Sequence, residues 1–341
     1  MSNGRPSQRV LITGGGGFIG SHLSELLLDR GDAVTVIDDF STGRRENPGL
    51  VRRVAERAAR YTVIEGDVSA VLPTLDPARF DCIYHLAAAV GVRLVVEKPI
   101  HTIETNVHET STVLKFAATR ATPVLIASTS EVYGKGVRVP MREDDDVVYG
   151  STGFSRWCYA CSKAIDEYLA LAYHREQGLP AVIARFFNTV GPRQIGEYGM
   201  VLPRFVQAAI EGRDLEVHGD GMQSRCFCDV RDVVKVLPRL LETTACHGRV
   251  FNVGRDEPIS IRALADLVIK TLGSTSRVRM VPYAQAFSAG FDDLMVRQPD
   301  LTRIRAAVGW SPAISFEQTI RDLADEIRSR RETVASTGGR A

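Results

Sequence analysis

The 341-residue chain predicts an α/β fold, a Rossmann-like doubly wound parallel sheet with a smaller α/β substrate-binding lobe. Three observations carry the expectation. Short, continuously apolar runs alternate with helical patterns through the first half, as buried parallel strands and their crossovers require. A glycine-rich turn, Thr13-Gly14-Gly15-Gly16-Gly17-Phe18-Ile19-Gly20, joins the first strand to the first helix. An acidic residue, Asp38, closes the second strand, where a dinucleotide ribose is read in such folds.

The elements follow in order. Val10-Leu11-Ile12 is the first strand. The segment bearing Leu23, Leu26, Leu27 and Leu28 is an amphipathic helix. Ala33 to Ile37 is the second strand. Further strands are expected at Tyr61 to Glu65, Cys82 to His85, Val124 to Ala127 and Ala181 to Phe186. Helical patterns cover Thr102 to Thr119 and Trp157 to Gln177. After Asn188 the rhythm changes to loops rich in Gly, Pro and Arg between short elements. We divide the chain into a dinucleotide-binding domain, 1–187 and 228–256, and a substrate-binding lobe, 188–227 and 257–331. Residues 332–341 are small and polar and are expected to fray.

Composition bounds the function. Lys plus Arg number 42 and Asp plus Glu 41, a balance that argues against nucleic-acid or membrane-surface binding and leaves room for a local basic pocket. No apolar run approaches the roughly 20 residues that span a bilayer. Met1 to Gln8 is polar and lacks a signal-peptide core, so a cytoplasmic protein is expected. Six cysteines in this length do not form a disulfide scaffold. Cys158 and Cys161 bracket Tyr159 in a helical pattern, and Cys226 and Cys228 alternate in what reads as one strand. Neither spacing predicts a metal site.

The glycines predict a tight turn at Gly14, close approach of backbone to a pyrophosphate at Gly17, and close helix–strand packing at Gly20. The helix start adds N–H groups and a favourable dipole for phosphate. Asp38 can accept hydrogen bonds from adenosine ribose hydroxyls and repels a 2′-phosphate. Asp39 adds the same charge, so NAD is expected over NADP. Asp67, after the third strand, either meets the adenine amine or is an ordinary turn aspartate.

Tyr159 and Lys163 are four residues apart and share a helix face. A phenol with a pKa of about 10 is a poor base at neutral pH. A nearby ammonium and a positive nicotinamide ring favour the phenolate. Tyr159 is then expected to take a proton from a sugar hydroxyl while hydride leaves the same carbon. Lys163 is expected at the nicotinamide ribose, and the Thr129 hydroxyl, at a strand end, at the reacting oxygen.

On these motifs the chain resembles extended short-chain dehydrogenases/reductases acting on nucleotide sugars. His85-Leu86-Ala87-Ala88 and Arg185-Phe186-Phe187-Asn188-Thr189-Val190-Gly191-Pro192 extend the likeness over roughly residues 8 to 328. The resemblance implies cofactor contacts at Phe18, Ile19, Ser41, Thr42, Gly43, Val68, Leu86, Ala87 and Ala88. It places Asn188 and Arg225 at the diphosphate or sugar, and Arg297 at the diphosphate. It also implies a homodimer paired through the helix carrying Tyr159 and its neighbour.

Within that group, a 4,6-dehydratase carries Asp-Glu directly after the threonine, whereas this chain has Ser130-Glu131. Thr129-Ser130-Glu131 resembles UDP-glucuronate decarboxylases. Arg156-Trp157, Ser224-Arg225-Cys226-Phe227 and Gly290-Phe291-Asp292-Asp293 resemble the decarboxylase domain of the bacterial aminoarabinose pathway. The reaction so implied is oxidation at C4, loss of CO₂ from the β-keto acid and protonation at C5. Glu131, Ser130 and Arg225 are expected toward C5 and the carboxylate. Either UDP-xylose or the 4-keto-pentose follows. Arg93, in a Gly-Val-Arg run that also resembles uronate 4-epimerases, either grips the substrate carboxylate or is a solvated loop arginine. A UDP-sugar 4-epimerase is the first alternative, and a non-enzymatic NAD-binding regulator a second.

Overall fold

Backbone hydrogen bonding along the apolar runs builds a seven-stranded sheet in the computed structural model, which describes residues 6–91, 95, 97–196, 200–282 and 295–338. Strands β1 (Arg9–Thr13), β2 (Ala33–Asp38), β3 (Tyr61–Glu65), β4 (Cys82–His85), β5 (Val124–Thr129) and β6 (Ala181–Phe186) match the expected positions within two residues. The short strands β7 (Thr189–Val190), β8 (Leu215–His218), β9 (Ser224–Arg225) and β10 (Cys228–Asp229) precede β11 (Arg249–Val253). The sheet order is β11-β6-β5-β4-β1-β2-β3, with every pairing parallel. The order reverses between β1 and β4, which opens a crevice at the carboxyl ends of those strands.

Helices cover both faces. Period-two alternation within β1 sends Val10 and Ile12 into one core and Leu11 into the other. The first core holds Leu23 and Leu27 of α1 (Phe18–Asp29). The second holds Val113 and Leu114 of α2 (Pro99–Ala118) and Ala170 of α3 (Arg156–Gln177).

A separate apolar core lies among α4 (Val201–Ile210), β8, α6 (Ile261–Leu272) and the last helix, with Phe205, Leu264 and Leu323 fully or nearly fully buried. Between α4 and α6 the chain returns to the large sheet through α5 (Val230–Glu242), whose Val233 and Leu237 join the first core, and β11. Strands β12 (Ile259–Ser260), β9 and β14 (Val296–Arg297) form a three-stranded sheet, and β13 (Val278–Val281) pairs with β8. Helix α7 (Thr302–Val308) adds Ile304 to the first core, and α8 (Phe316–Gly338) closes the chain.

Two expectations are corrected. Cys226 and Cys228 do not share a strand: β9 ends at Arg225 and β10 begins at Cys228, and the two belong to different sheets. Residues beyond 331 do not fray at once, because α8 continues to Gly338. Glu332, Val334 and Ala335 are residue types compatible with helix, and backbone hydrogen bonding carries the helix through them.

One buried ion pair ties the sheet to its neighbouring helix. Arg185 on β6 donates to Glu167 on α3 through Nε at 2.9 Å and Nη2 at 2.7 Å, and Ser128 on β5 donates to the same carboxylate at 2.5 Å. The guanidinium also stacks 4.6 Å from the Tyr133 ring, whose hydroxyl donates to Asn252 on β11 at 2.7 Å. Removing one partner strands a buried charge. Glu167→Ala is therefore expected to lose about 3–5 kcal/mol in urea-induced unfolding. A loss below about 1 kcal/mol would show that the pair does not hold α3 on the sheet.

Candidate active site

A single cleft of about 1090 Å³ runs along the carboxyl ends of the strands. Its first end is built by the glycine turn. Gly14 has φ +73°, and a Cβ there would come within 2.6 Å of the Ala87 nitrogen. At Gly20 a Cβ would meet the Gly14 carbonyl oxygen at 2.3 Å, so helix and strand could not approach as they do. Gly17 is the N-cap of α1, and no side chain caps that helix. Its first-turn N–H groups thus face the cleft beside Phe18 and Ile19 without a side-chain partner, which suits a diphosphate.

Asp38 is buried and does two backbone jobs: it accepts from Gly16 N–H and Phe40 N–H, each at 2.8 Å. Burial pushes its carboxyl above the ordinary value against these bonds. Each oxygen keeps a further lone pair for a ribose hydroxyl. Asp39 holds the turn at Ser41, whose N–H donates at 2.9 Å, and Thr42 and Gly43 continue the cleft wall. Asp67 caps the one-turn helix at Val68–Val71, accepting from Ser69 N–H at 2.7 Å, while also lining the cleft with Val68. Leu86, Ala87 and Ala88 form the floor.

Beneath the floor a buried chain joins Thr13, His85 and Thr110. Thr13 Oγ1 lies 2.7 Å from His85 Nδ1, and His85 Nε2 lies 3.0 Å from Thr110 Oγ1. Burial lowers the His85 pKa to about 3, so the ring is neutral. Asn106 fixes α2, accepting from Ala89 N–H at 2.8 Å and donating to Ser162 on α3 at 3.1 Å.

Tyr159 and Lys163 project from α3 into the cleft, beside Thr129 at the end of β5. The expected phenolate of Tyr159 depends on the nicotinamide charge, since Lys163 alone does not lower the phenol. The phenol is pushed up, first by burial and then by the charges of Glu131 and Asp166, against a hydrogen bond with Thr129. Lys163 does not offset this because its Nζ donates to Asp166 at 2.6 Å, and both groups are buried. Helical spacing brings Asp166 one turn below Lys163, so the ammonium is neutralised from beneath.

Ser130, buried, and Glu131 form the short 3₁₀ turn after β5, with Thr129 Oγ1 accepting from Glu131 N–H at 3.2 Å. Glu131 sits between two arginines: Arg297 is ion-paired to Oε1, and Arg156 lies 3.7 Å from Oε2. Arg225 on β9 is the register neighbour of Arg297 on β14, and both are nearly buried at the cleft. Asn188 donates to the Cys226 carbonyl at 3.2 Å, bridging β6 to the segment after Arg225.

The cleft therefore brings together Gly14, Gly17, Phe18, Ile19, Asp38, Asp39, Ser41, Thr42, Gly43, Asp67, Val68, Leu86, Ala87 and Ala88 at one end. Thr129, Ser130, Glu131, Tyr159, Lys163, Asn188, Arg225 and Arg297 gather at the other. Arg93 and the Gly290–Asp293 run lie outside the described residues. Arg156, three residues before Tyr159, has no role legible from sequence beyond that spacing, and the fold brings it to Glu131. Sequence reasoning missed Asp166 and Glu109.

The family described as GDP-mannose 4,6 dehydratase matches residues 11–323. Over 330 residues the chain is 37% identical to the UDP-N-acetyl-alpha-D-glucosaminuronate decarboxylase of Bacillus cytotoxicus, covering 94% of this chain and 98% of that protein. It is 36% identical over 329 residues to UDP-glucuronic acid decarboxylase 1 of Arabidopsis thaliana, covering 96% and 71% respectively. The UDP-glucose 4-epimerase of Thermus thermophilus, solved in complex with NAD, aligns with TM-score 0.80 at 28% identity, over 94% of this chain and 99% of that one.

The position of Asp166 gives a test independent of substrate. Asp166→Asn removes a charge that raises the Tyr159 pKa and releases the Lys163 ammonium toward the phenol. Tyrosine ionisation followed by ultraviolet difference absorbance is expected to show one group titrating at lower pH than in the wild type, absent when Tyr159→Phe is added. An unshifted titration would separate Asp166 from Tyr159.

Proposed function

The chain belongs to the GDP-mannose 4,6 dehydratase family, and on that premise we propose that it is an NAD-dependent decarboxylase of a UDP-linked hexuronate, UDP-glucuronate first. The observation that carries the reading is the carboxylate of Glu131 held between Arg156 and Arg297, beside Thr129 and Tyr159. An oxidation site alone needs the tyrosine and its neighbours. Two arginines on a single carboxylate, with Arg225 in register beside one of them, suit a substrate that brings a diphosphate and a carboxylate of its own.

The glycine turn and the open first turn of α1 would hold the cofactor diphosphate, Asp38 and Asp39 the adenosine ribose, and Lys163 the nicotinamide ribose. When bound, NAD⁺ would supply the acceptor for hydride from C4 and, where the product is UDP-xylose and not the 4-keto-pentose, the hydride that returns. Tyr159 takes the C4 hydroxyl proton, with Thr129 holding the oxygen. The burial that raises the phenol makes this proton transfer depend on the positive charge brought by the oxidised cofactor.

The C4 ketone then stands β to the carboxylate. The C5–C6 bond breaks, CO₂ leaves, and the electron pair moves to the C4 oxygen, where Tyr159 and Thr129 donate hydrogen bonds to it. Arg225, or a water held by Glu131, returns a proton to C5, and Asn188, Arg225 and Arg297 hold the diphosphate or sugar. Ser130, the first residue of the same turn, lines the cleft beside it. Residues 188–227 and 257–331 are the sugar-nucleotide lobe in this reading. The reading includes a homodimer through α2 and α3, supported by the exposed Ile100, Ile103, Ile165 and Tyr168 on those helices.

Incubation with NAD⁺ and either UDP-glucuronate or UDP-N-acetylglucosaminuronate, followed by mass spectrometry, tests the assignment. Loss of CO₂ from one of them is expected. An isomer of unchanged mass would make the protein a 4-epimerase instead. Glu131→Gln is expected to slow CO₂ release by about 10²-fold or more, while unchanged release would remove Glu131 from the chemistry.

A further inference from the structure

We propose that Glu109 is a cofactor-binding residue that meets the dinucleotide as a neutral carboxylic acid and makes cofactor affinity depend on pH. The inference rests on the reading that the cleft takes NAD. Glu109 is on α2, where His101, Thr105 and Glu109 recur at four-residue spacing and all line the cleft. The helix is fixed on both sides of this residue, by Asn106 at Ala89 and Ser162 and by Thr110 at His85. Glu109 is 6% exposed with its carboxyl at the cleft wall, and no described residue hydrogen-bonds to it. A buried carboxyl group left without a partner at a cavity wall is costly unless a ligand completes it.

The charged groups facing Glu109 are Asp67 before the one-turn helix, Asp39 and Asp38 at the end of β2, and Lys163 on α3. Glu109 therefore lies between the expected adenosine end and the expected nicotinamide-ribose end of the cofactor channel. Burial, followed by the three aspartates, raises its pKa to about 8 against the pull of Lys163. Below that pH the group carries a proton and can donate to, as well as accept from, a ribose or phosphate oxygen. Above it, a fourth carboxylate faces a ligand that itself carries a diphosphate, and the charges repel.

The sign follows from linkage. If the neutral form binds, affinity is level below about pH 8 and falls as the free protein loses the proton. NAD⁺ titrated into cofactor-free protein by calorimetry is expected to bind about tenfold more weakly at pH 9 than at pH 7. Glu109→Gln, which keeps a donor and acceptor without a charge, removes that fall and binds more tightly than the wild type at pH 9. Glu109→Ala, with neither, binds several-fold more weakly at pH 7. A Glu109→Gln protein whose affinity falls with pH as the wild type's does overturns the inference, as does unchanged affinity in Glu109→Ala. Wild-type protein that binds no NAD⁺ at either pH overturns the cofactor reading itself, a result distinct from NAD⁺ binding that ignores Glu109.

Discussion

The Glu167–Arg185 pair is the constraint on which the site's geometry depends. Tyr159 and Lys163 come from a helix, Thr129 and Glu131 from the end of one strand, and Asn188 from the loop after another. Glu167 is one turn beyond Lys163, and its carboxylate takes hydrogen bonds from both strands, at Ser128 and Arg185. The helix is thereby fixed in rotation and height against the strand ends. Apolar packing alone is non-directional and would leave both adjustable; a bidentate guanidinium–carboxylate contact does not.

The two ends of the cleft hold anions by opposite means. At the glycine end Asp38, Asp39 and Asp67 outnumber the arginine Arg44, and the groups that suit a phosphate are backbone N–H dipoles at the start of α1. At the sugar end the side chains are arginines, with Glu131 among them. Fixed backbone dipoles and acidic walls favour a ligand of low net charge. Guanidinium groups favour one with several negative charges. The two ends of one channel thus suit ligands of different charge.

Much of this was legible because the period of a buried parallel strand and that of an amphipathic helix are both written in local sequence. The first six strands of the large sheet, the helix carrying Tyr159 and the glycine turn all follow from such runs. The spacing of Tyr159 and Lys163 fixed a shared face. It did not fix which carboxylate that lysine would find, since Asp166 and Glu167 are adjacent and only the packed helix shows that one turns under Lys163 and the other toward Arg185. The placement of Arg297 near Arg225 came only from the resemblance and from no local period. Each is on a strand of two residues, too short for any period, and their adjacency is a long-range register. Glu109 carries no signal in local sequence, and only the tertiary fold buries it at the cleft.

The lobe that carries α4, α6 and α8 has an apolar core of its own, sharing no buried residue with the two cores that sandwich the large sheet. Such a unit can loosen or rearrange as a cooperative whole while the dinucleotide end stays folded. It also divides the inheritance of the molecule. Substitutions among Phe205, Leu264 and Leu323 act on this lobe's own core and not on the two cores against the large sheet. A lineage can redraw this lobe's core without repacking the two cores that hold the large sheet.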